Sequence, residues 1–376
     1  MFPSHDSTCF PVTIAHVSQS RYTGGNKSEL NTAISIIPKL VDDDIFSEIR
    51  DKTLHIKTNA QMQQWIDSLN DVTSNIITYT DVSSNYNIVK IYNTVTDFTI
   101  NRGLAILCSD LFTIEGVGKP IIKINSSNAS NKIAIQSRGF SCKKIKFVNY
   151  TTVSDWSRSL FTLANYDTSK NKAIFEETDG EDTTGSYTFL VSVDLNLNLE
   201  IKSGRFKNFA IYTSGEDLIQ NNVFESVNIT GHKNPLIAVY TIKNVKIIGN
   251  VFKNAKISTG LVSLETAEYS VINDNTFDYT FENSNSVVGI NCITAQPLSN
   301  LNVQLSTNNN KIRVRSIAGD TVITIRFIDA SNKDYIFSQV CNNSFYSETP
   351  TLVTLSTFLN CAGSTTGTII ANNTNN

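Results

Sequence analysis

The sequence predicts an all-β fold: a right-handed parallel β-helix solenoid with a small helical N-terminal region. Three observations support this prediction. After Asn75 the apolar residues change from helical spacing to alternation. Beyond that point, short β-runs at 88–91, 98–100 and 121–124 are separated by Asn, Ser, Gly or Asp, with no helix between them. From residue 219 onward, a turn motif of the form apolar-x-x-Asn-x-apolar recurs, which is typical of stacked coils.

The composition limits the classes of partner. The 376 residues carry a formal net charge of -3, so no overall basic field favours nucleic acid or an anionic membrane surface. No apolar run is long enough to predict a membrane span. The first ten residues lack the basic and apolar regions of a secretory signal. This pattern leaves a cytoplasmic protein, a mature or trimmed chain, or a viral protein released by lysis. Of these locations, we expect a virion surface or the outside of the cell.

The cysteines give no sign of a metal site. The six cysteines are separated in the sequence, none forms a CxxC pair, and no histidine clusters with them. They are expected to be buried free thiols. No pattern in the chain indicates a metal or another cofactor.

Apolar spacing predicts three helices near the N-terminus. The first two are expected over residues 28–40 and 43–52. A third is expected over residues 60–69, with Thr58 or Asn59 as the N-cap. The apolar stripe of this third helix would comprise Met62, Trp65, Ile66 and Leu69.

The turn motif occurs in three clear copies and two looser ones. The clear copies are Ile219-Gln-Asn-Asn222-Val-Phe224, Ile247-Ile-Gly-Asn250-Val-Phe252 and Ile272-Asn-Asp-Asn275-Thr-Phe277, and the looser ones are Asn310-Lys-Ile312 and Asn343-Ser-Phe345. Successive asparagines are 28, 25, 35 and 33 residues apart. These separations fit one coil of a β-helix, with the longer ones requiring inserted loops. Phe206 could belong to an earlier copy that lacks the asparagine.

Stacked coils give each position of this motif a physical role. Equivalent residues lie above one another at about 4.8 Å, so asparagine side chains can hydrogen-bond along the stack. Asparagine also tolerates the left-handed backbone of a sharp turn. The predicted asparagine ladder comprises Asn222, Asn250, Asn275, Asn310 and Asn343. The predicted core stack comprises Phe224, Phe252, Phe277, Ile312 and Phe345.

These residues resemble the pectin-lyase-like superfamily of parallel β-helices, whose members include polysaccharide lyases, glycoside hydrolases and viral tailspikes. The resemblance covers residues 59–350, and it implies that the helix over residues 60–69 caps one end of the core. Residues 1–58 would then form a helical attachment region, and residues 351–376 a C-terminal strand or tail. The segment at about 151–199 lacks the turn motif, so it is expected to be a large side loop or an inserted hairpin.

The catalytic motifs of this superfamily are mostly missing from the sequence, but one charged column is predicted. The residue after each stacked apolar position is charged and alternates in sign, giving Lys207, Glu225, Lys253, Asp278 and Arg313. The first interpretation is an exposed salt ladder that fixes the stacking register. The alternative makes Glu225 and Asp278 a catalytic pair about 9.6 Å apart, at the upper limit for an inverting glycosidase. Lys253 between them would favour two ionised carboxylates, which suits a base but not an acid.

Five further residues are candidates for glycan binding. Glu265 and Glu268 could line a groove. Trp156, Tyr166 and Tyr187 lie in the segment without the turn motif and could stack on sugar rings.

Two classes of function remain open. The first is a phage-like surface fibre or tailspike component, a homotrimer by resemblance, with a structural or glycan-receptor-binding role. The second is a polysaccharide lyase or glycoside hydrolase that acts on an acidic polysaccharide. The absence of the superfamily's catalytic motifs favours the first class.

Overall fold

The structure is a computed structural model built from parallel strands that stack in long sheets. It describes residues 45–47, 49–71, 77–94, 97–125, 133–149, 159–167, 171–183, 188–193, 197–213, 217–226, 237–239, 244–254, 262–264, 269–281, 289–295, 304–316, 323–330, 338–361 and 367–376. The predicted helix over residues 28–40 lies outside these ranges.

Within the described ranges there is one helix, α1, which spans Asn59–Asp67. The strands in chain order are β1 (Thr53–Ile56), β2 (Thr80–Asp81), β3 (Ile88–Tyr92), β4 (Phe98–Ile100), β5 (Leu104–Val117), β6 (Ile121–Ile124), β7 (Ile133–Lys143), β8 (Lys146–Asn149), β9 (Ser159–Asn165), β10 (Asn171–Glu176), β11 (Asp179–Asp182), β12 (Thr188–Val193), β13 (Leu197–Lys202), β14 (Arg205–Lys207), β15 (Phe209–Thr213), β16 (Asp217–Gln220), β17 (Val223–Ser226), β18 (Ile237–Val239), β19 (Val245–Ile248), β20 (Val251–Asn254), β21 (Val262–Leu264), β22 (Tyr269–Asn273), β23 (Thr276–Phe281), β24 (Gly289–Ala295), β25 (Gln304–Asn308), β26 (Lys311–Ser316), β27 (Ile323–Ala330), β28 (Gln339–Cys341), β29 (Ser344–Ser347), β30 (Val353–Cys361), β31 (Ile369–Ala371) and β32 (Thr374–Asn375).

From β13 onward, each coil contributes strands to three sheets in turn. Sheet A contains β13, β16, β19, β22, β25, β28 and β31. Sheet B contains β14, β17, β20, β23, β26, β29 and β32. Sheet C contains β15, β18, β21, β24, β27 and β30. All these pairings are parallel, which confirms the predicted all-β parallel β-helix solenoid.

The earlier coils extend the same sheets toward the N-terminus. Sheet B continues through β11, β8, β6 and β4. Sheet A continues through β10, β7, β5, β3 and β1. The long strands β5 and β7 pair with each other along both halves, with a break in register between Cys108 and Leu111. Among the described residues, β1 is the first strand of the solenoid, and it lies within the region expected to be helical.

The described strands of the segment at 151–199 belong to the solenoid and do not form the expected side loop or inserted hairpin. Its strand β11 pairs with β8 on one side and β14 on the other, and β10 pairs with β7 and β13. The prediction was wrong because it depended on asparagine at the turn. In these coils Pro120, Ile145, Thr178 and Gly204 occupy the equivalent turn position, each directly after a residue with positive φ.

Residues 351–376 also continue the coils. Strands β30, β31 and β32 pair in parallel with β27, β28 and β29. Where a C-terminal strand or tail was expected, the described residues therefore continue the solenoid.

Helix α1 packs against β1 and β4 and covers the N-terminal end of the core. Thr58 is the N-cap, because its hydroxyl accepts a hydrogen bond from the Gln61 N–H, and the Gln61 side chain accepts one from the Thr58 N–H. The buried Trp65 donates its indole N–H to the Tyr86 hydroxyl over 3.0 Å. This capping helix matches the one expected over residues 60–69.

The helix predicted over residues 43–52 does not form in the described part of that range. Residues 45–47 form a turn, and Asp51 and Lys52 have φ angles of 49° and 56°. These left-handed residues close a turn in which the Thr53 N–H donates to the Arg50 carbonyl over 2.8 Å. The chain must reverse here to enter β1, and this requirement overrides the helical spacing of the apolar residues.

Six buried or half-buried asparagines form a continuous side-chain ladder. In each step, the backbone N–H and the side-chain amide of one asparagine donate to Oδ1 of the asparagine one coil later. For Asn222 and Asn250 these distances are 2.9 and 3.1 Å. The same bonds join Asn250 to Asn275, Asn275 to Asn310, Asn310 to Asn343, and Asn343 to Asn373. Asn373 was not among the predicted members.

Each ladder amide also ties two sheets of the solenoid together. The Asn250 side chain donates to the Ile219 carbonyl of β16 over 2.8 Å, and the Asn275 side chain donates to the Ile247 carbonyl of β19 over 2.9 Å. The ladder asparagine itself does not supply the left-handed turn. That conformation belongs to the residue before it, such as Asn221 (φ 55°) or Gly249 (φ 66°). The asparagine is therefore selected for its amide and not for its backbone.

The aromatic rings of the core stack in the same register. Phe206, Phe224, Phe252 and Phe277 pair in sequence across sheet B and are at most 1% exposed. Ring centroids of Phe224 and Phe252 are 5.3 Å apart, and those of Phe252 and Phe277 are 5.0 Å apart. Ile312 and Phe345 continue the column.

The thiols differ in their exposure. Cys108 and Cys142 are free and buried, whereas Cys341 is partly exposed. Burial raises the pKa of the Cys142 thiol to about 12, so this thiol stays protonated and unreactive at neutral pH.

Replacing Phe252 with alanine should remove a central ring of the stack. We expect Phe252→Ala to lower the free energy of unfolding by about 3–5 kcal/mol, measured by chemical denaturation. Tyr346→Ala is the matched control, because its ring is 51% exposed and follows Phe345 in the same sheet. The control should change stability by no more than about 0.5 kcal/mol. Similar losses for the two variants would contradict a central position for Phe252.

Replacing Asn250 with alanine should interrupt the ladder. The Asn222 N–H and amide would lose their acceptor, and the Ile219 carbonyl would lose a donor. Because a buried polar group without a partner costs about 1–3 kcal/mol, we expect a loss of about 3 kcal/mol or more in the free energy of unfolding. Asn221→Gly is the control, since glycine accepts the positive φ at that turn. A cost for Asn250→Ala no larger than the control's would show that the ladder contributes little.

Candidate binding face

The predicted charged column lies on the outer face of sheet B. The strand register pairs Lys207 with Glu225, Glu225 with Lys253, Lys253 with Asp278, and Asp278 with Arg313. Neighbouring residues of a strand point to opposite sides, so the buried phenylalanine column turns these charges toward solvent. Glu225 and Asp278 are two strands apart, at about 9.6 Å, with Lys253 between them.

The ion pairs of this column lie at its two ends, and Glu181, which the register places opposite Lys207, extends the column by one strand. Lys207 Nζ lies 3.3 Å from Glu181 of β11, and Arg313 Nε lies 2.8 Å from Glu348. Glu225 and Lys253 face each other across adjacent strands, yet neither forms an ion pair with another residue of the described ranges. The charged ends of these two side chains are therefore accessible to a ligand.

Sheet A carries a second charged column, which the sequence did not reveal. Its register aligns Lys90, Glu115, Lys143, Glu176 and Lys202. Here successive opposite charges do meet: Lys90 pairs with Glu115 at 3.7 Å, and Lys143 pairs with Glu176 at 3.6 Å. In the sheet A column, these two ion pairs join opposite charges on neighbouring strands.

A groove of about 450 Å³ crosses five strands of sheet B, from β8 to β20. The charged residues that line it are Lys146, Asp179, Glu181, Arg205, Lys207, Glu225 and Lys253. Val223 lies beside them and is half-buried. Arg205 and Val223 lie opposite each other on adjacent strands, one residue before Phe206 and Phe224. The groove forms where the long Arg205 side chain is followed, one coil later, by the shorter Val223 side chain.

Two carboxylates of the groove are already neutralised. Glu181 accepts hydrogen bonds from Lys146 at 2.8 Å and Lys207 at 3.3 Å. Asp179 pairs with Lys119 at 2.7 Å and also accepts the Arg205 backbone N–H at 3.0 Å. The Arg205 guanidinium forms no ion pair within the described part of the chain. Arg205 and Lys253 are therefore the cations left available to a bound anion.

A pattern in the sequence could have identified Asp179, Glu181 and Arg205. Asp179-Gly180-Glu181 and Arg205-Phe206-Lys207 are both charged-x-charged triplets, in which an inward residue separates two outward ones. The position of Lys207 directly after Phe206 predicts that it faces outward. The residue before each stacked position, such as Arg205, also faces outward, but it was not included in the prediction. The residues of the first triplet were also assigned to a loop.

The remaining candidates do not join this groove in the described structure. Tyr166 is 39% exposed, and its ring lies 5.8 Å from the Arg138 guanidinium, which also pairs with Asp167 at 3.0 Å. Trp156, Tyr187, Glu265 and Glu268 lie outside the described residues. The described ranges contain no group of three potential metal ligands and no helix long and apolar enough to cross a membrane.

The chemistry available at this face is the binding of charged and hydroxylated groups. Arg205 and Lys253 can donate to an anion, and Glu225 can accept hydrogen bonds from hydroxyl groups. For acid–base catalysis, Glu225 and Asp278 lie two strands apart in one column, with Lys253 on the strand between them.

The Glu181 cluster should make stability depend on pH. The hydrogen bond from Lys146 lowers the pKa of Glu181, and Lys207 adds to the effect. A carboxylate whose pKa is lowered by folding stabilises the fold above its unfolded-state pKa, and this contribution is lost as pH falls through the folded-state pKa. The melting temperature of the native protein should therefore fall more between about pH 6 and pH 3 than that of Glu181→Gln. Lys246→Gln, on sheet A, should behave like the native protein. Identical pH profiles for all three would contradict this role of Glu181.

Comparison with models of known protein families finds no match to this chain, and comparison with curated protein sequences finds none. The fold and the groove on sheet B are accordingly established from the residues and contacts of this chain.

Proposed function

We propose that this chain is a surface fibre or tailspike-like component of a phage-like particle, in which the solenoid is a rigid shaft and sheet B binds a glycan receptor. The proposal takes up the resemblance to the pectin-lyase-like superfamily, which includes such fibres. By the same resemblance the particle would carry the chain as a homotrimer.

The single observation that carries the binding role is the groove on sheet B. It combines a half-buried valine with long charged side chains, of which Arg205, Glu225 and Lys253 form no ion pair with described residues. Groups of this kind recognise the hydroxyls and acidic substituents of sugars. The strands beneath the groove are held by the asparagine ladder and the stacked rings, so the binding groups are set on a rigid surface.

A second candidate function is supported by the position of two carboxylates. Glu225 and Asp278 lie on the same outer face, two strands apart, which is compatible with a glycoside hydrolase or lyase that acts on an acidic polysaccharide. Lys253 between them weighs against this function, because it favours the ionised form of the group that should act as the acid.

A screen of bacterial surface polysaccharides tests both functions. We expect at least one acidic polysaccharide to be retained by the immobilised protein, without the release of reducing ends or unsaturated sugars. Failure of every surface polysaccharide to bind would contradict the receptor-binding role. Light scattering of the purified chain would test the trimer separately.

Cleavage would move the chain to the enzyme class if it depended on the two carboxylates. Glu225→Gln and Asp278→Asn should then each abolish cleavage at an unchanged melting temperature. Retained cleavage in both variants would exclude this pair as the catalytic one.

A further inference from the structure

The order of charges along sheet B carries information about the ligand beyond the proposed glycan binding, on which the inference rests. Lys207, Lys253 and Arg313 occupy every second strand of one column, and Glu225 and Asp278 occupy the strands between them. Because neighbouring strands are about 4.8 Å apart, the cations recur every 9.6 Å or so along the solenoid, with a carboxylate midway between them.

We propose that this column binds a linear glycan in which acidic and neutral sugars alternate, with the polymer running along the solenoid axis. A disaccharide repeat has a length close to two strand spacings. The carboxylates of successive acidic sugars would then lie against Lys207, Lys253 and Arg313. At Lys207 and Arg313 they would compete with the ion-pair partners Glu181 and Glu348, whereas Lys253 forms no ion pair with described residues. The neutral sugar would lie against Glu225 or Asp278, which accept hydrogen bonds from its hydroxyl groups.

The contrast with sheet A separates this proposal from a purely structural ladder. On sheet A, two of the four adjacent opposite pairs approach to 3.6 and 3.7 Å, and on sheet B Lys207 and Glu181 approach to 3.3 Å at one end of the column. On sheet B, Glu225 and Lys253 are equally adjacent but form no ion pair with described residues, and both are exposed. Their position beside the groove and Arg205 leaves their charged ends available to a polymer lying along it.

The same spacing disfavours a more densely charged polymer. A nucleic-acid strand carries one phosphate about every 3.4 Å, so some of its phosphates would lie against Glu225 and Asp278. A polyuronate with an acid on every sugar would place alternate carboxylates against the same two residues. Like charges directly opposite each other repel, so both polymers should bind more weakly than the alternating one.

The test compares three soluble polymers at low ionic strength by isothermal titration calorimetry. They are a polymer alternating glucuronate with N-acetylglucosamine, the same polymer with its carboxyl groups reduced, and polygalacturonate. We expect the alternating polymer to bind at least about tenfold more tightly than either of the others. Equal affinities, or no binding of the alternating polymer, would overturn the proposal.

Two variants and one control assign the effect to the column. Lys253→Glu should weaken binding of the alternating polymer about tenfold, because it replaces an attraction with a repulsion. The double change Glu225→Lys with Lys253→Glu keeps the net charge but breaks the alternation, so it should also lose the preference for this polymer. Lys246→Glu, an exposed lysine on sheet A of the same coil, is the matched control and should bind normally. Thermal unfolding verifies that each variant is folded.

The outcomes distinguish this inference from the proposed function. If surface polysaccharides bind but Lys253→Glu and Lys246→Glu behave alike, the inference is wrong and receptor binding by another face remains. Normal binding by the double variant would show that net charge, and not the order of charges, determines recognition.

Discussion

The in-register stacking of coils is the constraint on which the rest of this structure depends, and the asparagine side-chain amide enforces it. Each amide has one acceptor oxygen and two donor hydrogens, and all of them are used within the solenoid. Asn250 accepts two hydrogen bonds from Asn222, donates to Asn275 and donates to a carbonyl of sheet A. A shift of one coil by a single residue would leave these buried groups without partners, at a cost of about 1–3 kcal/mol for each group.

Once the register is fixed, every position of the motif becomes a column along the molecule. The inward column of sheet B is aromatic and nearly inaccessible to water, while the next residue of each strand forms a charged column in solvent. The same rule produces the charged column of sheet A. Adjacent opposite charges pair at some steps of these columns, such as Lys90 with Glu115 on sheet A, but Glu225 and Lys253 of sheet B form no ion pair with described residues. A binding surface can therefore form on one face of a solenoid whose other face uses similar residues for stability.

Much of the fold could be predicted because the later coils repeat their chemistry in the sequence. In the sequence, Asn222, Asn250 and Asn275 each have an isoleucine three positions earlier and a phenylalanine two positions later. This repeated motif predicted the coil and its register. The earlier coils were missed because a left-handed turn needs a backbone conformation and not one particular side chain. Glu177 and Ser203 adopt this conformation just before Thr178 and Gly204, and neither pair resembles the later motif. The prediction of a helix over residues 43–52 was wrong for a related reason. The left-handed backbone of Asp51 and Lys52 turns the chain into β1, and no particular side chain marks this turn.

The period, the inward residues and the order of charges after each of them follow from the residue pattern alone, because a strand alternates its faces and a coil repeats its turn. Which charges meet depends on how the coils stack. Glu181 comes from a coil without the motif, yet it lies between Lys146 and Lys207, and Arg205 comes to lie beside Val223 of the next strand. These contacts join residues 18 to 35 positions apart in the chain, and no local pattern records them. The groove exists because stacking converts such distant residues into neighbours about 4.8 Å apart.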